Sequence, residues 1–296
     1  MSSSRAFAPL DFAQLIAVAL IWGFNNIFAK IAVDAFPAMV TVVLRFLIVL
    51  VALGVFIKPP PRGKWGAFAL MIVFIGPLHF GIQYVGLKLA HDVSPMVIAM
   101  QLWAPASVVF AALLLKEVVS PLRWAGVAVA FLGAASMNFD PAVWAQAGAL
   151  ALVSLASASY GLGTVLVRRM GGGLDPWATF KLWWRSPACV LPSAGSFAFE
   201  SDQSEALRNA PWYAWACIAF GGLVSSIVAS AFMMQLVQKY EVSRTTPYLL
   251  MTPVISFAVA SLLLGDRITP QIAIGGAATI GGVALVALAE RRLKRP

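Results

Sequence analysis

Ten stretches of about twenty mainly apolar residues, separated by short polar or proline-bearing joints, leave this chain little choice of fold. They run about 11–33, 38–57, 65–87, 93–114, 121–138, 145–169, 176–198, 211–237, 243–264 and 270–289. About 20 apolar residues are what a helix needs to cross hydrocarbon. Only helices and closed barrels can satisfy their backbone polar groups there. Composition agrees: 60% of the 296 residues are apolar or aromatic and 11% are charged, against about a quarter charged in soluble domains. That excludes a water-soluble globule and a disordered chain. The expectation is an all-α membrane protein with ten transmembrane helices. The first stretch reads as a permanent helix, because it is full span length and runs into Asn25, Asn26 and Lys30 without an A-x-A exit.

The net charge of +9 sets orientation and does not point to nucleic acid. Alternate joints collect Arg5, Lys58, Arg62, Lys64, Lys116, Arg123, Arg168, Arg169, Lys239, Arg244 and the tail Arg291, Arg292, Lys294 and Arg295 on one side. The other side has Lys88, Arg208 and Arg267. The positive-inside rule then places both termini in the cytoplasm. Cys189 and Cys217 lie in apolar stretches and give neither a disulfide framework nor zinc spacing.

The chain also repeats itself. Residues 113–135 read LLLKEVVSPLRWAGVAVAFLGAA and residues 262–284 read LLLGDRITPQIAIGGAATIGGVA. A shift of 149 superposes the LLL, Glu117 on Asp266, Ser120 on Thr269, Pro121 on Pro270, Gly126 on Gly275 and Gly133 on Gly282. Val93-Ser94 matches Val242-Ser243, and Trp22-Gly23 with Lys30 loosely parallels Tyr160-Gly161 with Arg168. Residues 1–140 and 141–296 thus read as two five-helix repeats within one membrane domain. Five is odd, so the second must be inverted relative to the first, a transporter pattern with its site near the midplane.

Trp22-Gly23-x-x-Asn26 with Lys30, and the two copies of LLL-x-[ED]-x-x-[ST]-P followed by spaced glycines, resemble the EamA branch of the drug/metabolite transporter superfamily. The resemblance covers nearly the whole chain. It implies ten helices in two inverted halves and movement of amino acids, other metabolites or drugs, often outward. Within the branch the chain is most similar to bacterial exporters of aromatic amino acids, which implies an inner-membrane location.

The acids Asp11, Asp34, Asp92, Glu117, Asp140, Asp175, Glu200, Asp202, Glu205, Glu241, Asp266 and Glu290 all fall at expected helix ends or in joints. No carboxylate stands mid-span, where buried acids mark proton relays. The resemblance sharpens this: small multidrug exporters of the superfamily carry a first-helix glutamate that is missing here. Neutral, zwitterionic or anionic substrates therefore fit better than organic cations.

Basic groups do enter the spans. Lys181 and Arg185 lie roughly 7 and 13 Å into the seventh, and Arg45 about 10 Å from the outer end of the second, at 1.5 Å per residue. Each either snorkels to the headgroups, helped near Lys181 by Trp177, Trp183 and Trp184, or binds a substrate carboxylate. His79 follows Gly76-Pro77 near the middle of the third span, with Gln83 one turn on and Tyr84 beside it. It either hydrogen-bonds a neighbouring helix or contacts substrate and carries a proton. Asn26 shares a face with Trp22 and Lys30, Tyr160 one with Ser157 and Thr164, and Tyr248 one with Arg244 and Thr252; Gln101 and Trp103 precede Pro105. Such stripes serve interhelical hydrogen bonds or line a cavity. Amide donors and acceptors beside aromatic walls suit an amino acid better than a sugar.

The candidate substrate-binding set is Asn26, His79, Gln83, Tyr84, Gln101, Trp103, Tyr160, Lys181, Arg185 and Tyr248, with Pro105 and Pro253 as candidate hinges of alternating access. HExxH, GxSxG, a DDxxD-type metal site and a nucleotide-binding loop are missing. The function expected is therefore transport rather than catalysis or ATP-driven pumping. The partners expected are a small-molecule substrate and the bilayer, with no cofactor, no nucleic acid and a monomeric state.

Overall fold

The computed structural model describes residues 8–53, 73–169, 200–239 and 249–293, with positions 66, 70, 195, 196 and 198. Among these residues all regular structure is helical. The helix α1 (Pro9–Ala35) opens with proline in its first turn and Asp11 facing its dipole, and stops at Phe36 because Pro37 follows. The next helix, α2 (Ala38–Leu53), restarts directly after that proline. Past Gly76, a π-helical turn (Pro77–Gly81) runs into α3 (Ile82–Leu89).

The expected fourth span is broken. It consists of α4 (Ser94–Met100) and α5 (Trp103–Leu115), joined by a turn at Gln101–Leu102. The cause is Pro105, which has no N–H to give the Gln101 carbonyl; the N–H of Ala104 reaches it instead at 3.3 Å. After α6 (Pro121–Ser136), the short α7 (Pro141–Trp144) and α8 (Ala147–Arg169), a helix α9 (Gln203–Asn209) occupies the joint between the expected spans 176–198 and 211–237. Its acid at the start and arginine at the end, Glu205 and Arg208, complement the helix dipole, which an apolar-window reading does not see. Then come α10 (Trp212–Ala219), a ten-residue π segment (Phe220–Ala229) and α11 (Ser230–Lys239). The chain closes with α12 (Met251–Leu263) and α13 (Pro270–Leu293).

Among the described residues, five helical stretches are long and apolar enough to cross a membrane: Pro9–Ala35, Ser94–Leu115, Ala147–Leu166, Trp212–Met233 and Pro270–Ala289. Ala38–Leu53, Pro121–Ser136 and Met251–Leu263 are shorter apolar helices. The seventh expected span, 176–198, lies mostly outside the described residues.

The most extensively packed pair is α6 against α13. A methyl on Gly126 would sit 2.8 Å from the Gly282 carbonyl oxygen, and one on Gly275 2.8 Å from that of Gly133. Small residues let two backbones approach where lipid offers no hydrophobic drive. The pairs are crossed: the repeat aligns Gly126 with Gly275, yet Gly126 touches Gly282 and Gly275 touches Gly133. The two helices therefore run antiparallel here. The same exchange recurs elsewhere. A methyl on Gly23 would lie 3.3 Å from the Thr252 carbonyl oxygen, and one on Gly161 2.8 Å from that of Trp103, while Trp103 and Thr252 are 149 residues apart. Around these contacts lies a core that includes Phe46, Leu87, Met96, Ile98 and Met137.

Candidate functional site

Arg45 is the centre of the polar interior. It projects from α2, is 5% exposed and has no ion-pair partner among the described residues. Its neighbours are neutral. The guanidinium donates from Nη1 to Tyr84 Oη at 2.6 Å, and from Nε and Nη2 to Ser226 Oγ at 3.1 and 3.0 Å. The Ser225 hydroxyl stands 3.5 Å from Nη2, and the Phe80 ring lies 5.1 Å from the guanidinium carbon. Ser226 can accept twice because its own proton goes to the Gly221 carbonyl at 2.7 Å, a bond natural to the π segment's wider turn. Phe80 comes from the other π-helical turn, so both irregular helices converge on one cation. Hydroxyls and a ring orient a guanidinium but do not neutralise it.

An aromatic ladder leads away from this charge. Phe80 packs edge-on to His79 at 4.7 Å, His79 lies tilted against Tyr160 of α8 at 4.8 Å, and Tyr160 meets Trp103 of α5 edge-on at 5.6 Å. His79 Nδ1 is 2.8 Å from the Ala156 carbonyl. A carbonyl can only accept, so the proton belongs on Nδ1 and Nε2 of the neutral ring is left as an acceptor. Gln83, one turn past His79, donates to Met100 Sδ at 3.4 Å, and its buried Oε1 has no partner among the described residues.

The structure thus draws His79, Tyr84, Trp103 and Tyr160 into one contiguous array, with Gln83 a turn from His79. Asn26 stands apart: it donates to Ser256 Oγ at 3.1 Å and so joins α1 to α12. Gln101 lies at the break above α5 and its amide reaches back to the Val97 carbonyl at 3.5 Å. Lys30 pairs with Asp34 at 2.6 Å. Pro105 and Pro253 are both buried in the first turn of a helix, just after the breaks at Gln101–Leu102 and Leu250. Lys181, Arg185 and Tyr248 lie outside the described residues. Reading by residue type left Arg45 out of the binding set and gave Ser225 and Ser226 no role; the pair of glycines before those serines was their one local signal. No group of His, Cys, Asp and Glu able to hold a metal occurs among the described residues.

An apolar groove of 810 Å³ opens elsewhere, between α1, α10 and the end of α12, lined by Phe28, Ile31, Trp212, Tyr213 and Cys217 among others. It shares no residue with the array around Arg45.

Known proteins resemble the chain along its length. It is 24% identical over 270 residues to an uncharacterized transporter of Archaeoglobus fulgidus, covering 90% of this chain and 94% of that protein. It is 23% identical over 279 residues to a probable amino-acid metabolite efflux pump of Salmonella typhimurium, covering 90% and 91%. The corresponding Escherichia coli pump is 22% identical over 267 residues, covering 88% of each. A crystal structure covering 98% of this chain, and matched along 100% of its own, superposes with a TM-score of 0.61 at 18% identity, which speaks to the fold alone. The family model for EamA-like transporters matches twice, over residues 12–139 and 147–288. Those two matches take in nearly every apolar helix described above: the chain belongs to the EamA-like transporter family and is a multi-pass membrane transporter.

Proposed function

We propose that this transporter exports amino acids, aromatic and other apolar ones above all, with related small metabolites, across the bacterial plasma membrane. The single observation that carries the reading is Arg45, a buried guanidinium met only by hydroxyls and a ring among the described residues. An ionisable group inside a spanning bundle marks a functional site by default, and a guanidinium is shaped for a carboxylate. Nη1 keeps a second N–H beyond the one given to Tyr84, and the hydroxyls of Tyr84 and Ser226 can exchange partners when a carboxylate arrives. Gln83 Oε1, buried and without a partner among the described residues, is an acceptor for an ammonium group. The ladder from Phe80 to Trp103 supplies an aromatic wall for an apolar side chain. The pumps named for amino-acid metabolites in Salmonella typhimurium and Escherichia coli support the same class.

Substrate moves by alternating access between two inverted five-helix halves, residues 1–140 and 141–296, with both termini cytoplasmic. The crossed glycine contacts of α6 with α13, and the exchanged contacts of Gly23 and Gly161, support this arrangement. His79 is the proton-coupling group: its Nε2, which has no hydrogen-bond partner among the described residues, takes the proton while Nδ1 stays on Ala156.

The test is uptake into proteoliposomes of labelled phenylalanine, tryptophan, methionine and threonine, with and without an imposed pH gradient. Saturable uptake competed by aromatic amino acids is the expected result. Folded protein that moves none of them overturns the substrate assignment.

A further inference from the structure

The groove between α1, α10 and the end of α12 is ordered from mouth to floor. Asp34, Trp212 and Leu264 line it where the three helices begin or end. Ile31, Ala216 and Cys217 form its walls, and Phe28 and Phe220 lie furthest from the helix ends. Phe28 is about 10 Å in from the end of α1 and Phe220 about 12 Å in from the start of α10, at 1.5 Å per residue. There the two rings meet edge to face, with 4.9 Å between centroids and 84° between planes.

This floor lies one residue away from the Arg45 array. Phe220 opens the π segment and lines the groove, whereas its neighbour Gly221 faces the guanidinium. A Cβ on Gly221 would lie 3.8 Å from both Cδ and Cζ of Arg45, and 3.4 Å from Asn25 Oδ1. Glycine at 221 leaves that spot without a side chain. On α1 the same step is made by Asn25 and Phe28, which are one turn apart. One turn of each helix thus serves the groove on one side and the buried cation on the other.

The lining suits a solute with an apolar body and a charged end. Rings and aliphatic groups make up the walls and floor. At the mouth the Asp34 side chain is 51% exposed, and its pairing with Lys30 uses Oδ1. The second oxygen is left as an acceptor for an ammonium group. Trp212 and Tyr213, 80% and 50% exposed, stand at the mouth as aromatic residues do where helix ends meet lipid headgroups.

We propose that this groove is the outer vestibule of the transport path, a second binding site for the solute's apolar side chain, and that the Phe28–Phe220 pair is the gate between it and Arg45. The gate is shut in the conformation described. Turning either ring aside opens a way past Gly221 between the vestibule and the guanidinium. That this end is the outer one, and that the solute is an apolar or aromatic amino acid, rests on the function proposed above.

Labelling tests the route without substrate. In a chain carrying Cys189→Ala and Cys217→Ala, a reporter Ser225→Cys puts a thiol beside Arg45, where the serine hydroxyl stands 3.5 Å from Nη2. Membrane vesicles are treated with a charged, impermeant methanethiosulfonate from the face that carries residues 211–213. Phe28→Ala and Phe220→Ala are each expected to raise the labelling rate about tenfold, the scale of losing one well-packed aromatic pair. Ala216→Trp fills the groove and is expected to bring the rate of Phe220→Ala back to that of the parent. A rise in neither Phe28→Ala nor Phe220→Ala, as a lipid-filled groove would give, overturns the gate. A rise that Ala216→Trp does not reverse is a general loosening of the helices and overturns the route. The two gate variants lie on different helices, so poor folding of one leaves the other to decide. Ala216→Trp alone is also expected to slow phenylalanine uptake about tenfold, and uptake at the parent's rate overturns the vestibule. If phenylalanine is not transported at all, the labelling rates still decide the route, so the two failures are distinguishable.

Discussion

At the scale of single residues, the proposed function turns on Arg45. Its donors form a rigid fork, so lysine is not an equivalent. Arg45→Lys is expected to raise the KM for a carboxylate-bearing substrate by about tenfold or more, and Arg45→Gln to raise it further, given roughly 1.5–3 kcal/mol for a hydrogen bond to a charged group. Initial-rate uptake in proteoliposomes measures both. His79→Gln keeps a donor toward Ala156 but cannot take up a proton; the pH dependence of transport is expected to flatten while uptake at a fixed pH persists. A fully retained pH profile removes His79 from the coupling. That His79, Tyr84, Trp103 and Tyr160 stand out was legible from residue type, because each is a ring with a polar tip in an apolar sequence. Arg45 was not resolved, since its depth from a span end fits snorkelling and ligand binding equally. Ser225 and Ser226 gave no warning, because a serine in an apolar helix most often returns its proton to its own backbone, as Ser154 and Ser157 do here.

At the scale of helices, the α6–α13 contact brings two backbones within van der Waals reach at Gly126, Gly133, Gly275 and Gly282. Gly282→Leu drives a branched side chain into the backbone of Gly126 and Ala130, and overpacking of this kind costs about 1–3 kcal/mol. The expected result is a clear fall in the thermal midpoint of the detergent-solubilised protein, whereas the same change at Gly148, where no described residue lies within 4 Å of a Cβ, leaves the midpoint nearly unchanged. The loop contacts make a separate prediction. The Thr269 hydroxyl, aided by the Ala142 N–H, holds the Asp140 carboxyl below the ordinary carboxylate range against the opposing effect of burial. A depressed folded-state pKa stabilises above the unfolded value and is lost as pH falls through the folded one. Thr269→Val should therefore move the onset of acid unfolding to higher pH, readable by helical circular dichroism; an unchanged onset contradicts the assigned cause. The repeated turn, left-handed at both Lys116 and Gly265, was legible in the acid-x-x-[ST]-P motif and in the glycine spacing. The break at Gln101–Leu102 was signalled by Pro105, which has no N–H for the Gln101 carbonyl; the helix α9 was not, because hydropathy windows report apolar content and miss a helix with no buried residue.

For the whole molecule, the helical, lipid-adapted architecture followed from composition and span length, since a bilayer permits so few alternatives. Transport followed from the repeat. What a single sequence could not give was which polar groups converge, because Arg45, Phe80, Tyr160 and Ser226 come from four distant stretches brought together only by packing. The central claim is that the Arg45 guanidinium receives the substrate's carboxylate. Its most direct measurement is competition against labelled phenylalanine uptake by two analogues of the same ring: 3-phenylpropionate, which keeps the carboxylate, and phenethylamine, which lacks it. Phenylpropionate is expected to compete in the wild type and to lose its effect in Arg45→Gln, while phenethylamine competes weakly in both. Phenethylamine competing as strongly as phenylalanine, or phenylpropionate competing equally with and without the arginine, contradicts the account.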